Sequence, residues 1–156
     1  MRTSLKLFLL ACCAAVAVAA QTDAAGPEVV SFGWKYEGYL PIEVVRNRKS
    51  GTTMSVKRGT DYVFKYRAQA TLKNAGARAV KAVEWDYVFV EPEGGKELKR
   101  YRLRSKQAIA PGATETLAKE VFIKPDEDTR HLTTGRQQVA VTRVEYADGS
   151  VWKAKE

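Results

Sequence analysis

The sequence predicts an all-β protein, an antiparallel immunoglobulin-like β-sandwich of about seven or eight strands. Several runs alternate apolar and polar side chains with period two, the mark of a strand with one buried face. Turn residues separate these runs at short intervals. No stretch holds a helical period with caps, and no internal repeat or low-complexity linker interrupts the chain. A small barrel is the alternative arrangement of the same strands.

The first residues, MRTSLKLFLLACCAAVAVAAQ, combine Arg2 and Lys6 with an apolar stretch that ends in small residues. That is the layout of a secretory signal peptide, so residues 1–20 are expected to be removed after Ala19 or Ala20. The expected mature domain is then residues 21–156, enough chain for a single core. LLAC at residues 9–12 also has the outline of a lipoprotein cleavage site, with Cys12 as the residue that would be acylated. Cys12 and Cys13 are the two cysteines of the chain, so a processed domain has none left for a disulfide. The full chain carries a net charge of +8, and removal of Arg2 and Lys6 leaves +6. A basic exported domain favours anionic surfaces such as acidic glycans, lipopolysaccharide or lipid headgroups, and nucleic acid is not an expected partner there.

EVVSFGWKYEG and LPIEVVRNR predict one or two strands, with Val30, Phe32, Trp34 and Tyr36 on a common face. From Tyr62, the residues Phe64, Tyr66, Ala68, Ala70 and Leu72 share one face, and Lys65, Arg67, Gln69, Thr71 and Lys73 the other. NAG at 74–76 predicts a turn, since Asn and Gly enter left-handed conformations at little cost. The next run places Val83, Trp85, Tyr87 and Phe89 inward and Glu84 and Asp86 outward. PEGG (92–95) and APGA (110–113) are turns that bracket a strand at 96–106. TETLAKEVFIKP (114–125) and RQQVAVTRVEY (136–146) are further strands, and Asp148-Gly149 closes a hairpin with VWKAK.

ATLKNAGARAVKAVEWDYVF, IAPGATETLAKEVFI and VAVTRVEYADGSVW together resemble the strand, Pro-Gly turn and final hairpin of bacterial exported immunoglobulin-like modules, similar to cell-adhesion-related domains and other secreted β-sandwich families. The resemblance spans roughly residues 60–153 and does not extend to residues 28–50. It implies an accessory, adhesive or spacer role in an envelope and brings no fixed set of functional residues.

Few residues offer chemistry. His131 is the single histidine and lies in the polar stretch DEDTRHLTTG, where it is expected at the surface; a catalytic triad is hard to build around it. Glu84 and Asp86, at i and i+2, sit about 7 Å apart at the backbone, a spacing compatible with a glycosidase pair, but any strand face with two acids has it. Asp126, Glu127 and Asp128 lack the spaced ligands of a calcium loop and read as a solvated loop or the start of a helical turn. Transition metals lack the His and Cys to hold them, and no cofactor is expected. Trp34, Trp85 and Trp152 are candidates for an aromatic platform, with Trp85 better read as core.

The surface feature that stands out is RYRLRSK, which sets Arg100, Arg102, Arg104 and Lys106 on one strand face. Such a row suits an anionic polymer, through bidentate contacts, or protects a sheet edge against self-association. The expected function is a non-catalytic envelope module with a binding, adhesive or structural role, whose partner is an anionic envelope polymer or another envelope protein. The competing expectation is a small envelope hydrolase that uses surface carboxylates.

Overall fold

The computed structural model describes residues 26–50 and 52–155, and the expected leader with its Cys12 lies outside them. The described residues form an antiparallel β-sandwich of seven strands. In order these are β1 (Glu28–Ser50), β2 (Thr53–Lys73), β3 (Val80–Val90), β4 (Glu97–Ser105), β5 (Thr114–Ile123), the five-residue helix α1 (Arg130–Thr134), β6 (Arg136–Tyr146) and β7 (Val151–Lys153). One sheet has the order β1-β2-β5 and the other β4-β3-β6-β7.

The core lies between the sheets and follows the predicted alternation. Trp85, Tyr87 and Phe89 of β3 are completely buried and meet Ala68, Ala70 and Leu72 of β2. The two alanines leave room for the larger rings opposite, and Trp34 fills that space. Its ring lies 5.0 Å from Tyr87, 5.2 Å from Phe89 and 4.9 Å from Tyr101. Trp34 and Trp152 are partly buried against this core, so none of the three tryptophans forms an open platform. Trp152 in turn lies over Gly26, where an added Cβ would come within 2.6 Å of the indole.

The turns also follow the sequence, with one change of mechanism. Gly149 takes φ +85° between β6 and β7, and Gly112 takes φ +74° in the APGA turn. In the NAG stretch, however, neither Asn74 nor Gly76 adopts a left-handed conformation. Asn74 is instead a buried tie. Its side-chain amide donates to the carbonyls of Arg78 (2.8 Å) and Ile109 (3.1 Å), and its side-chain oxygen accepts from Gly76 N (3.1 Å). This amide joins the β2–β3 and β4–β5 connections, a role that turn propensity does not predict.

The largest departure is at the N-terminal end. Residues 28–50 form one strand of 23 residues, paired with β2 along its whole length to Ser50↔Thr53. Two register shifts bend it. The first, between Val29 and Ser31, makes Val30 the extra residue, so Val30 is exposed and does not share the face of Phe32, Trp34 and Tyr36. The second, between Tyr36 and Gly38, inserts Glu37 and switches the core-facing parity from even to odd positions. The Glu37 carboxylate is held by Arg67 and by Lys65 (3.4 Å), which fixes the bulge.

Candidate functional site

β5 stops where the long hairpin continues. Its last pair with β2 is Phe64↔Ile123, so residues 53–63 of β2 have β1 as their one strand neighbour among the described residues. From Leu40↔Val63 to Ser50↔Thr53 the two strands run on as a ribbon for about 33 Å beyond the edge of the three-stranded sheet, the last roughly 20 Å of it from Val44↔Gly59.

Residues directly opposite in an antiparallel pair project to the same side. Tyr36 faces Tyr66, Tyr39 faces Phe64 and Pro41 faces Tyr62, so the ribbon prolongs the core-facing side of the sheet after the second sheet has ended. Tyr39 stacks on Tyr62 with ring centres 5.2 Å apart and lies 5.0 Å from Phe64. Tyr36, Tyr39 and Tyr62 are each about half exposed. Further out, Val45, Val56 and Met54 are 60%, 62% and 67% exposed, values that an isolated core strand would not show. Charge accompanies these apolar groups. Arg46 makes a two-pronged contact with Asp61 (2.6 and 2.7 Å), while among the described residues Lys57 and Arg58 have no acidic partner within 4 Å.

The row on β4 is arranged differently. β4 is an edge strand, and its outer face lies over the acids of β3. Arg100 is held by Asp86 and by Glu97 (2.5 Å), and Arg104 by Glu145 (3.4 Å) and Glu84 (3.9 Å). Lys106 lies just past the strand, and among the described residues neither it nor Arg102 has an acidic partner within 4 Å. Half of the row is therefore already neutralised, a pattern suited to an edge more than to a polyanion clamp.

Two expectations about single residues are corrected. Asp86, read as outward and exposed, does point away from the core but is only 6% exposed. β3 is flanked by β4 and β6, and side chains from both strands cover it, with Arg100 on the carboxylate. Glu84 is likewise paired, with Arg143 at 2.9 Å. Both acids line one shallow surface depression with Arg102, Arg104 and Thr142, but each carboxylate there is engaged by a guanidinium group.

His131, expected at the surface, is 5% exposed. The short helix α1 tucks it under the sandwich rim, edge-on to Phe89 (5.0 Å) and with Nε2 2.9 Å from the Tyr101 hydroxyl. Burial, aided by Lys99, pushes its pKa below the usual histidine value, so it is neutral at pH 7 and its Nε2 shares one hydrogen bond with the Tyr101 hydroxyl. Burial also pushes Tyr101 up to about 12, which keeps that hydroxyl protonated. Close to α1, the expected acidic loop is internally satisfied. Asp128 binds Arg130 (2.6 Å), which holds its carboxyl well below the usual range, and Glu127 accepts from Lys124 N (3.2 Å). No group of three His, Cys, Asp or Glu able to hold a metal occurs among the described residues.

The ribbon is thus the feature that sequence reasoning missed. Its available signal was the Ser50-Gly51 pair between Val44-Val45 upstream and Thr52-Thr53 downstream, a hairpin cue masked by the parity switch at Glu37.

Neither the protein-family models nor the curated proteins contain a match to this chain. Among solved structures, the chain is similar to the crystal structure of a Northeast Structural Genomics Consortium target, SoR45, with 12% identity and a TM-score of 0.33 over 78% of this chain and 80% of that one.

Proposed function

We propose that this chain is an exported, non-catalytic module of a bacterial envelope that makes its contact through the β1–β2 ribbon. The observation that carries the reading is that ribbon: among the described residues the strand pairs of 44–59 are all with one another, and Val45, Val56 and Met54 stand about two-thirds exposed beside Lys57 and Arg58. Folded chains seldom leave such a surface uncovered without a partner for it. The signal-peptide layout of residues 1–20 and the resemblance to secreted adhesion-type modules support an envelope location. The hydrolase alternative would depend on Glu84 and Asp86, and both are held by arginines.

A shortened ribbon tests this reading. Glu43 and Thr60 are direct cross-strand partners, so residues 44–59 can be replaced by an Asn-Gly turn without disturbing the register behind them. The shortened chain is expected to fold normally and to lose association with its own envelope fraction. Association equal to that of the unaltered chain would sink the proposal.

A further inference from the structure

Between Arg46 and Arg58 the chain reads RNRKSGTTMSVKR, five cations and no acid, and of the five Arg46 is paired with Asp61. The apolar residues Val45, Val56 and Met54 stand exposed in the same segment, and the half-exposed tyrosines Tyr39 and Tyr62 mark its base. Resting on the contact role assigned above, we propose that the ribbon tip docks on a bilayer surface rich in anionic lipid, with its cations at the headgroup phosphates and its apolar side chains in the interface.

Charge complementarity selects an anionic occupant. Clustered cations near a bilayer gain affinity from the negative surface potential, about five-fold for each Lys or Arg. A second copy of the chain is disfavoured by the same charges, since two tips laid edge to edge bring like-charged segments together. A soluble polyanion would satisfy the cations but give Val45, Val56 and Met54 nothing to bury against. A bilayer interface takes both, and tyrosine rings suit the depth where apolar and hydrated zones meet. The open backbone edges of residues 53–63 limit the depth: their amides need water or headgroup partners, so the tip lies in the headgroup zone and does not cross the hydrocarbon.

The test is flotation of the mature chain with phosphatidylcholine vesicles that contain or lack phosphatidylglycerol. Binding is expected to the anionic vesicles alone and to weaken as salt is raised. Lys57→Gln with Arg58→Gln should weaken it about twenty-five-fold, whereas Arg102→Gln with Lys106→Gln at β4 should leave it unchanged. Val45→Ser with Val56→Ser should keep the salt-sensitive part and lose what survives high salt. Equal binding to both vesicle types, or undiminished binding by the Lys57/Arg58 variant, would overturn the proposal. So would high-salt binding untouched by the serine variant, which would show that Val45 and Val56 do not enter the interface, or a dimer that the serine variant dissolves in a chain that ignores vesicles. If vesicle binding fails while the shortened ribbon still loses envelope association, the lipid assignment falls and the contact role stands.

Discussion

At the scale of single residues, burial and pairing decide what each side chain is worth. Trp85 has no exposed surface and donates its indole N–H to the Ser105 hydroxyl at 3.2 Å. Trp85→Ala is expected to cost about 3–5 kcal/mol in denaturant unfolding, from lost burial and the cavity left behind. Asp86→Ala removes a buried acceptor, but Arg100 keeps Glu97 and partial access to water, so the expected cost is smaller, about 1–2 kcal/mol. A neutral Asp86→Ala would mean that the Arg100 contact contributes nothing. His131 supplies a pH signature. Its pKa is lower in the folded state than the usual 6.5, so unfolded chain binds a proton first as pH falls. The stability this burial permits is present above about pH 6.5 and is lost as pH drops through the folded pKa, before most carboxylates titrate. Thermal unfolding of His131→Gln should therefore show a flatter pH dependence between pH 7 and 5 than that of the unaltered chain; matching slopes would contradict the assignment.

At the scale of elements, the sequence is legible wherever one face of a strand is buried. β3, β5, β6 and the Asp148-Gly149 hairpin were recoverable from alternation and turn chemistry, because the pleat forces apolar side chains onto the inner face. The first strand was not, because two bulges each shift the parity by one and divide a 23-residue strand into short runs that look unrelated. Beyond residue 43 the ribbon has no sandwich behind it, so its pattern carries no core signal. The β4 row was visible as a charge pattern, but its partners Glu84, Asp86 and Glu145 come from neighbouring strands and could be found only in three dimensions. His131 was misplaced for a similar reason: α1 is too short to show a period, and Phe89 and Tyr101 draw it inward. Because the strand pairs of residues 44–59 lie within the ribbon and Arg46–Asp61 is an exposed ion pair, the shortened ribbon should melt within a few degrees of the full chain. A large fall in its midpoint would show that the ribbon supports the sandwich.

At the scale of the whole molecule, the chain divides into a closed body and an open arm. Aromatic rings fill the body, and its exposed apolar groups, such as Phe122 and Val151, are separate, whereas the arm gathers Val45, Met54 and Val56 in one segment with two cations unpartnered among the described residues. A net charge of +6 after loss of the leader would reinforce approach to an anionic surface, and the arm places that charge where the body does not obstruct it. The most direct test of the arm as the contact element is amide hydrogen exchange of the mature chain, free and bound to membranes isolated from its own envelope. Slower exchange confined to the peptides spanning residues 44–63, with those spanning Arg100–Lys106 unchanged, is the predicted result. Protection along β4 or across the sandwich faces, with the arm exchanging as fast as in the free chain, would contradict it.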